Sequence, residues 1–92
     1  MKRDKAMLID AIRNAEIIPP KQKLALEVIC ASDYPITSKM LEKKLNTTKQ
    51  RMDYSLKSLL KRNFIIKEKD GHFVYSPNYS RMDELVKRYE NS

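Results

Sequence analysis

Apolar residues recur along the chain at intervals that predict five helices and one hairpin. Spacings of three and four residues put side chains on one face of a helix. An Asp-Gly pair, Asp70-Gly71, joins two β-rich runs, which is a strong hairpin signal. The predicted helices are residues 4–17, 21–33, 38–45, 49–62 and 81–90, and the predicted strands are 65–69 and 72–76. We therefore predict a mainly α fold with a small β-hairpin (α+β).

The two central helices are predicted to form a tight helix-turn-helix. Thr37 and Thr48 each precede a helix and can accept a hydrogen bond from an amide of its first turn. Asn46 lies in the turn between them, and Asn63 lies where the second helix should end; Asn tolerates the left-handed conformation at both kinds of position. The buried stripe of the second helix is predicted to be Met52, Leu56, Leu59 and Leu60.

Helices predicted at 4–17 and 81–90 flank this motif. Asp4 and Ser80 are their expected N-caps, and Pro19-Pro20 should end the first helix because proline cannot donate a helical hydrogen bond. Their apolar faces are Met7, Leu8, Ala11, Ile12 and Ala15 in the first and Met82, Leu85, Val86 and Tyr89 in the last. The first helix is expected either to cover the domain's own core or to pack against a second subunit.

The helix predicted at 21–33 is expected to be the first core helix. Pro20 suits its first turn. Leu24, Ala25, Val28, Ile29 and Ala31 form its predicted apolar face, with Leu26 and Cys30 flanking that face. We interpret Cys30 as a small buried hydrophobe rather than a redox sensor, since no nearby His or cluster of cations favours its thiolate.

The strands around Asp70-Gly71 are predicted to pair through a two-residue loop. That register sets Lys69 opposite His72 and Ile66 opposite Tyr75. Ile66, Phe73 and Tyr75 would then share one face, and Ile65 and Val74 the other. The stretch 33–36 is expected to be extended because it precedes and includes a proline, and it is a candidate for a short third strand.

The excess positive charge lies entirely within the central motif. Residues 38–69 hold 10 basic and 3 acidic side chains, a net of 10 − 3 = +7, which equals the net charge of the whole chain. The rest of the chain is therefore neutral. Such concentration indicates a polyanionic partner, although a merely solvated basic face is the alternative.

The stretch from Ile36 to Ile65 resembles the winged helix-turn-helix family, in the style of MarR-like and ArsR-like regulators. Ile36-Thr37-Ser38 resembles the start of the family's first motif helix, and Thr48 its usual second cap. Leu41, Leu45, Met52, Leu56, Leu59, Phe64-Ile65 and Val74-Tyr75 resemble its apolar anchors and wing. Asn46 and Asn63 depart from the pattern, since Gly is common there. The resemblance implies a DNA-binding transcriptional regulator. The length of the chain predicts a single domain, 1–92, with an N-terminal helix (1–19), a winged-helix core (20–76) and a C-terminal helix (77–92).

The 48–62 helix is expected to lie in the major groove of double-stranded DNA, with the wing at 65–76 on the flanking backbone or minor groove. Gln50 is matched to adenine, and Arg51 or Lys49 to guanine or phosphate. Tyr54 is expected either on a thymine methyl or phosphate, or in ordinary surface packing. The predicted DNA-binding residues are Thr37, Ser38, Lys39, Thr47, Thr48, Lys49, Gln50, Arg51, Tyr54, Lys57, Ser58, Lys61, Lys67, Lys69 and His72.

A homodimer is expected, because specific recognition usually uses two half-sites roughly 34–36 Å apart. Leu8, Ile12, Met82, Leu85, Val86 and Tyr89 are the predicted dimer interface. On this interpretation, truncation after Ser80 should yield a monomer with weaker binding.

Other features narrow the classes of function. A single Cys excludes an internal disulfide, and the lack of an apolar span or signal-peptide core predicts a cytoplasmic protein outside the membrane. With one His, one Cys and no Gly-rich phosphate loop, neither an enzyme nor a cofactor or metal site is expected. The main rival is a winged-helix module for protein–protein assembly in a replication, partition or transcription complex. Single-stranded nucleic acid stays open, although the aromatic residues are expected to be too few and too buried for stacking.

Overall fold

The fold was taken from a computed structural model, which describes residues 5–91. The predicted mainly α fold with a small β-hairpin is confirmed. The predicted cap Asp4 lies outside the described residues. The elements in chain order are α1 (Lys5–Arg13), α2 (Pro20–Ala31), α3 (Ser38–Leu45), α4 (Lys49–Lys61), β1 (Ile65–Asp70), β2 (His72–Pro77) and α5 (Tyr79–Glu90).

The core lies where α2 and α4 cross and where the root of the hairpin meets them. Leu26, Leu41, Leu59 and Phe64 have no exposed surface there. Helix α1 packs on α2 and α5, and α3 packs on α4. Each fully buried side chain of this size stabilises the fold by about 1.5–3 kcal/mol, so these few residues fix how α4 and the hairpin are held.

Helix α1 ends at Arg13, several residues before the predicted stop at Pro19. Lys23 of α2 donates from Nζ to the Arg13 carbonyl oxygen (2.8 Å), and the Asn14 side chain donates to the carbonyl of Asp10 (2.8 Å). The Lys23 bond satisfies a carbonyl at the helix end that lacks a helical partner, and the Asn14 side chain adds to the bond that the Asp10 carbonyl already accepts from the Asn14 backbone amide (3.1 Å). Ile18 then turns into the core, so the link to α2 is held by tertiary contacts.

The buried face of α2 differs from the predicted one. Leu24 is 53% exposed and Ala31 is also exposed, whereas Leu26 and Cys30 are buried in the core with Ala25. The difference arises because α2 is covered from several sides, by α1, α3, α4 and β2, and not along a single stripe. Burial of Cys30 is confirmed, and it raises the pKa of the thiol to about 12, with a smaller contribution from Glu27.

The hairpin register differs from the predicted register by one residue. Asp70 pairs with His72, Lys69 with Phe73 and Lys67 with Tyr75, with Gly71 at the apex. A shift of one residue moves one strand's side chains to the opposite face relative to the other strand. Consequently Phe73 shares a face with Lys67 and Lys69, and not with Ile66.

The predicted third strand is a single β-bridge. The amide of Ile36 donates to the carbonyl of Tyr75 (3.0 Å), and the amide of Tyr75 donates back (2.7 Å). This bridge ties the start of α3 to the middle of β2. It therefore fixes the distance between the first motif helix and the hairpin.

Helix α5 begins at Tyr79, earlier than predicted, with Asn78 at the cap position instead of Ser80. The Asn78 side chain does not cap the helix but donates to the carbonyl of Asn63 (2.9 Å), and its backbone amide donates to the carbonyl of Phe64 (3.0 Å). The end of α4 and the start of α5 are thus joined directly.

Most of the predicted dimer interface lies inside the chain's own core. Leu8, Ile12, Met82 and Leu85 are buried where α1 packs against α5, so they do not form a free apolar face. Val86 and Tyr89 are partly buried beside them. Of the two alternatives for the first helix, covering the domain's own core is the one observed, and the homodimer itself stays a prediction.

Candidate nucleic-acid interface

A groove lies between one face of α4 and the hairpin, and residues at the start of α3 also line it. We refer to it as the α4–wing groove; its volume is about 980 Å³. Its lining residues are Thr37, Ser38, Lys39, Lys49, Asp53, Leu56, Lys57, Leu60, Lys67, Lys69, Gly71, His72, Phe73 and Tyr75.

Local hydrogen bonds determine the residues at which α3 and α4 begin. Thr37 Oγ1 accepts from the amide of Met40 and Thr48 Oγ1 from the amide of Arg51, both at 3.2 Å, which confirms both predicted caps. Asn46 (φ 49°) and Asn63 (φ 63°) adopt the left-handed conformation expected of them. The helix-turn-helix therefore follows from short-range chemistry that the sequence displays.

The floor of the groove is apolar and contains an exposed aromatic ring. Leu56 and Tyr75 are buried, while the Phe73 side chain is 50% exposed, so the expectation that the aromatic residues are too buried for stacking is wrong for Phe73. Burial raises the pKa of the Tyr75 hydroxyl, and the carboxylate of Asp53 adds to that rise.

Two lysines contact the Phe73 ring. The ammonium of Lys67 lies 4.1 Å from the ring centroid and that of Lys69 lies 5.7 Å from it. Both distances are within the range of a cation–π interaction. These contacts follow from the observed register, in which all three side chains stand on one face of the hairpin.

The rim of the groove is strongly basic. Lys39, Lys49 and Lys57 stand on the side of α3 and α4, opposite Lys67 and Lys69 of the hairpin, and all of these side chains are exposed. Asp53 is the sole acid among the lining residues within 5–91, and it pairs with Lys49 (3.2 Å). The rim is therefore a cationic border around an apolar floor.

The structure divides the predicted DNA-binding residues into two groups. Thr37, Ser38, Lys39, Lys49, Lys57, Lys67, Lys69 and His72 line the groove; Thr47, Thr48, Gln50, Arg51, Tyr54, Ser58 and Lys61 lie outside it. A second face of α4 is exposed to solvent. It is formed by residues spaced four, three and four apart, namely Gln50, Tyr54, Lys57 and Lys61. Lys57 borders both surfaces.

Several groove residues were absent from the predicted set, namely Asp53, Leu56, Leu60, Gly71, Phe73 and Tyr75. Asp53 lies four residues from both Lys49 and Lys57, a spacing that already placed it beside them. Phe73 was missed because the predicted register put it on the face with Ile66. The Asp70-Gly71 pair favours a two-residue loop, and the register that follows from it is not the one observed.

Arg62 and Arg81 lie away from the groove and serve the fold. Their guanidinium carbons are 5.4 and 4.7 Å from the centroid of the buried Phe64 ring. Arg81 also pairs with Glu84 (2.7 Å) and donates to the carbonyl of Arg62 (3.4 Å). The Arg81 guanidinium thus joins α5 to the end of α4, and the Arg62 guanidinium packs on the same buried ring.

Two further findings concern membranes and metals. In the described part of the chain, 5–91, no helix has both the length and the apolarity that a bilayer crossing requires. Over the same residues, no group of three or more His, Cys, Asp or Glu side chains lies close enough together to hold a metal ion.

Comparisons with known proteins establish similarity of fold alone. No protein-family model and no curated protein matches the sequence. A crystal structure of a protein from the thermoacidophilic archaeon Sulfolobus tokodaii is similar, with a TM-score of 0.63 at 20% identity over 94% of this chain and 90% of that one. A protein of unknown function from Listeria innocua gives the same TM-score and identity, over 90% of this chain. The chain spans 63% of the Listeria protein.

Proposed function

We propose that this protein is a winged helix-turn-helix regulator of transcription that binds double-stranded DNA sequence-specifically. The observation that carries the proposal is the exposed face of α4 formed by Gln50, Tyr54, Lys57 and Lys61, on a motif that holds all of the chain's excess positive charge. An α-helix of this kind fits the major groove of B-DNA.

The outward face of α4 carries the side chains suited to reading bases. Gln50 pairs in two places with adenine, and Tyr54 contacts a thymine methyl or a phosphate. Lys57 and Lys61 neutralise phosphates on either side, and the wing-tip residues Lys69 and His72 reach the flanking backbone or minor groove. Thr47 and Thr48 at the start of α4 are further phosphate donors.

The proposal includes a two-fold homodimer, since one such unit reads only a few base pairs. With Leu8, Ile12, Met82 and Leu85 in the protomer's own core, the surface offered to a second copy would centre on the partly buried Val86 and Tyr89. Paired half-sites in the bound DNA would support it.

Selection from random duplex DNA, at about 0.15 M salt, tests the proposal directly. We expect an enriched palindrome in the bound fraction, whose half-site spacing gives the dimer geometry. With six phosphate contacts per site, affinity should fall by roughly three decades between 50 and 200 mM salt. A flat, salt-sensitive profile would indicate a non-specific architectural binder. No binding would favour the rival assembly module.

Charge reversal on the motif tests whether α4 makes the contact. The triple variant Lys49→Glu, Arg51→Glu, Lys57→Glu should abolish duplex binding, because it places three carboxylates against the phosphates. All three side chains are exposed, so the fold should be retained. The matched control is Lys21→Glu, Lys43→Glu, Lys44→Glu, which changes the net charge equally at exposed positions outside α4, outside the groove and away from the proposed dimer surface. Equal losses in both variants would remove α4 from the interface.

A further inference from the structure

The floor of the α4–wing groove has a composition that duplex binding does not use. A duplex presents its sugar–phosphate backbone to a wing, and such contacts are made by cationic and polar groups. Here the basic rim encloses Leu56, Leu60, Tyr75 and the half-exposed ring of Phe73. The ligand that fits must offer a flat apolar surface together with negative charge.

We propose that this groove binds a short unpaired segment of a nucleic-acid strand, with a base stacked on Phe73 and adjacent phosphates held by the rim lysines. This goes beyond the duplex binding proposed above and does not depend on it. An unpaired nucleotide has an uncovered π-face and a phosphate on the same small unit. Inside a duplex, neighbouring base pairs cover those faces.

The surroundings of the Phe73 ring favour an exchange of partners. In the free protein the ring contacts the ammonium of Lys67 at 4.1 Å, and the Lys67 side chain is itself exposed. Stacking of a base on an aromatic side chain is stronger than a cation–π contact at an exposed site. A bound nucleotide gives the ring a base and gives Lys67 a phosphate, so both groups gain a better partner.

Lysines on both sides of the groove can contact a single nucleic-acid strand lying in it. Lys67 and Lys69 lie on the hairpin side, and Lys39, Lys49 and Lys57 on the helical side. A strand lying between them brings its phosphates near cations on both sides while its bases turn toward the apolar floor. Grooves that combine a cationic track with aromatic platforms bind single strands in this way.

The test measures the binding of three labelled probes: oligothymidine, oligouridine, and the same oligothymidine annealed to its complement. Each strand has about 12 nucleotides, which lies within the usual range of single-strand sites. Variants Phe73→Leu and Phe73→Ala remove the ring, and Phe73→Tyr keeps it. Tyr34→Ala is the matched control, because Tyr34 is an exposed aromatic residue that does not line the groove. A strand carrying 2-aminopurine adds a spectroscopic readout, since its fluorescence is quenched on stacking.

We expect Phe73→Leu and Phe73→Ala to weaken single-strand binding by roughly 5- to 150-fold, the range typical of losing one stacking aromatic. Binding of the duplex should change little, Phe73→Tyr and Tyr34→Ala should bind as the parent does, and quenching should be lost in Phe73→Leu. A preference between the thymidine and uridine strands identifies DNA or RNA as the source of the segment.

Three results would overturn the inference, the first two of which concern Phe73 and the third a competing peptide. The first is single-strand affinity that is indifferent to Phe73. The second is an equal loss for duplex and single strand, which would assign the ring to duplex recognition. Tight binding of a polyglutamate peptide that displaces the oligonucleotides and is insensitive to Phe73→Leu would likewise assign the groove to an acidic protein. Single-strand binding without any duplex binding would refute the proposed function while leaving this inference standing.

Discussion

Asp53 places a negative charge in the middle of the lysine-lined face of α4. Its carboxylate accepts from Lys49 (3.2 Å), and Lys57 follows four residues later on the same helix. In a nucleic-acid site such a carboxylate repels phosphate and accepts hydrogen bonds from base amino groups, as in the pairing of Asp with cytosine N4. On the proposed function, Asp53 would lower affinity for phosphate in general and favour particular bases.

Removing this one charge should strengthen binding and weaken discrimination. In Asp53→Asn, Lys49 loses its ion-pair partner, and an exposed pair of this kind is worth about 0.2–1 kcal/mol. If that free energy becomes available for binding phosphate, affinity for non-cognate nucleic acid should rise by about 1.4- to 5-fold. The control is Glu68→Gln, which alters net charge equally on the hairpin face opposite Lys67 and Lys69. Titrations at fixed salt measure both variants. Equal gains would mean that net charge alone matters.

Residues whose role is local were predicted correctly from the sequence. Thr37 and Thr48 cap their helices because a hydroxyl reaches an amide only three residues away, whatever surrounds it. Asn46 and Asn63 adopt left-handed backbone for an equally local reason. The Asn78 side chain, in contrast, donates to the carbonyl of Asn63, fifteen residues earlier, and no local sequence pattern predicts a hydrogen bond between such distant positions.

At the scale of elements, the hairpin shows where sequence patterns stop being sufficient. The local Asp70-Gly71 signal favours a two-residue loop with Lys69 opposite His72, whereas the structure pairs Asp70 with His72. The observed register places Ile65 and Tyr75 together against the core and leaves Ile66 42% exposed. Tertiary packing, which the sequence pattern does not display, makes the choice, and the buried face of α2 was misassigned for the same reason.

The apex of the hairpin is expected to depend on the backbone of Gly71 alone. Its φ is +73°, and an added Cβ would have no atom within 4 Å, so Gly71→Ala should cost roughly 1 kcal/mol of backbone strain without any clash. Gly71→Asn should cost less, because Asn tolerates this conformation. Urea unfolding of the two variants gives the comparison. If both variants lose the same stability, the tolerance of Asn for a left-handed backbone makes no difference at this apex, and the stated explanation is wrong.

At the scale of the whole molecule, the two terminal helices complete the core. Lys5 of α1 pairs with Asp33 and donates to the carbonyl of Ala31 (3.2 Å), which fastens α1 to the end of α2. Arg81 of α5 stacks on Phe64 at the exit of α4. The sequence left the role of these helices open because an amphipathic face looks the same whether its own chain or a second copy covers it.

Truncation after Ser80 should therefore unfold the protein. The sequence alone predicted a folded monomer instead, because α5 was expected to form the dimer interface. The deletion removes Met82 and Leu85, whose burial stabilises the fold by about 1.5–3 kcal/mol each, and it uncovers Leu8 and Ile12 in α1. Losses of this size approach the roughly 5–15 kcal/mol that stabilises a typical domain. Thermal melting followed by far-UV circular dichroism, with a control lacking only Asn91 and Ser92, measures the effect. A truncated chain that still melts cooperatively near the parent's midpoint would contradict this prediction. Its sedimentation as a monomer beside a dimeric parent would then place α5 at the interface between two copies.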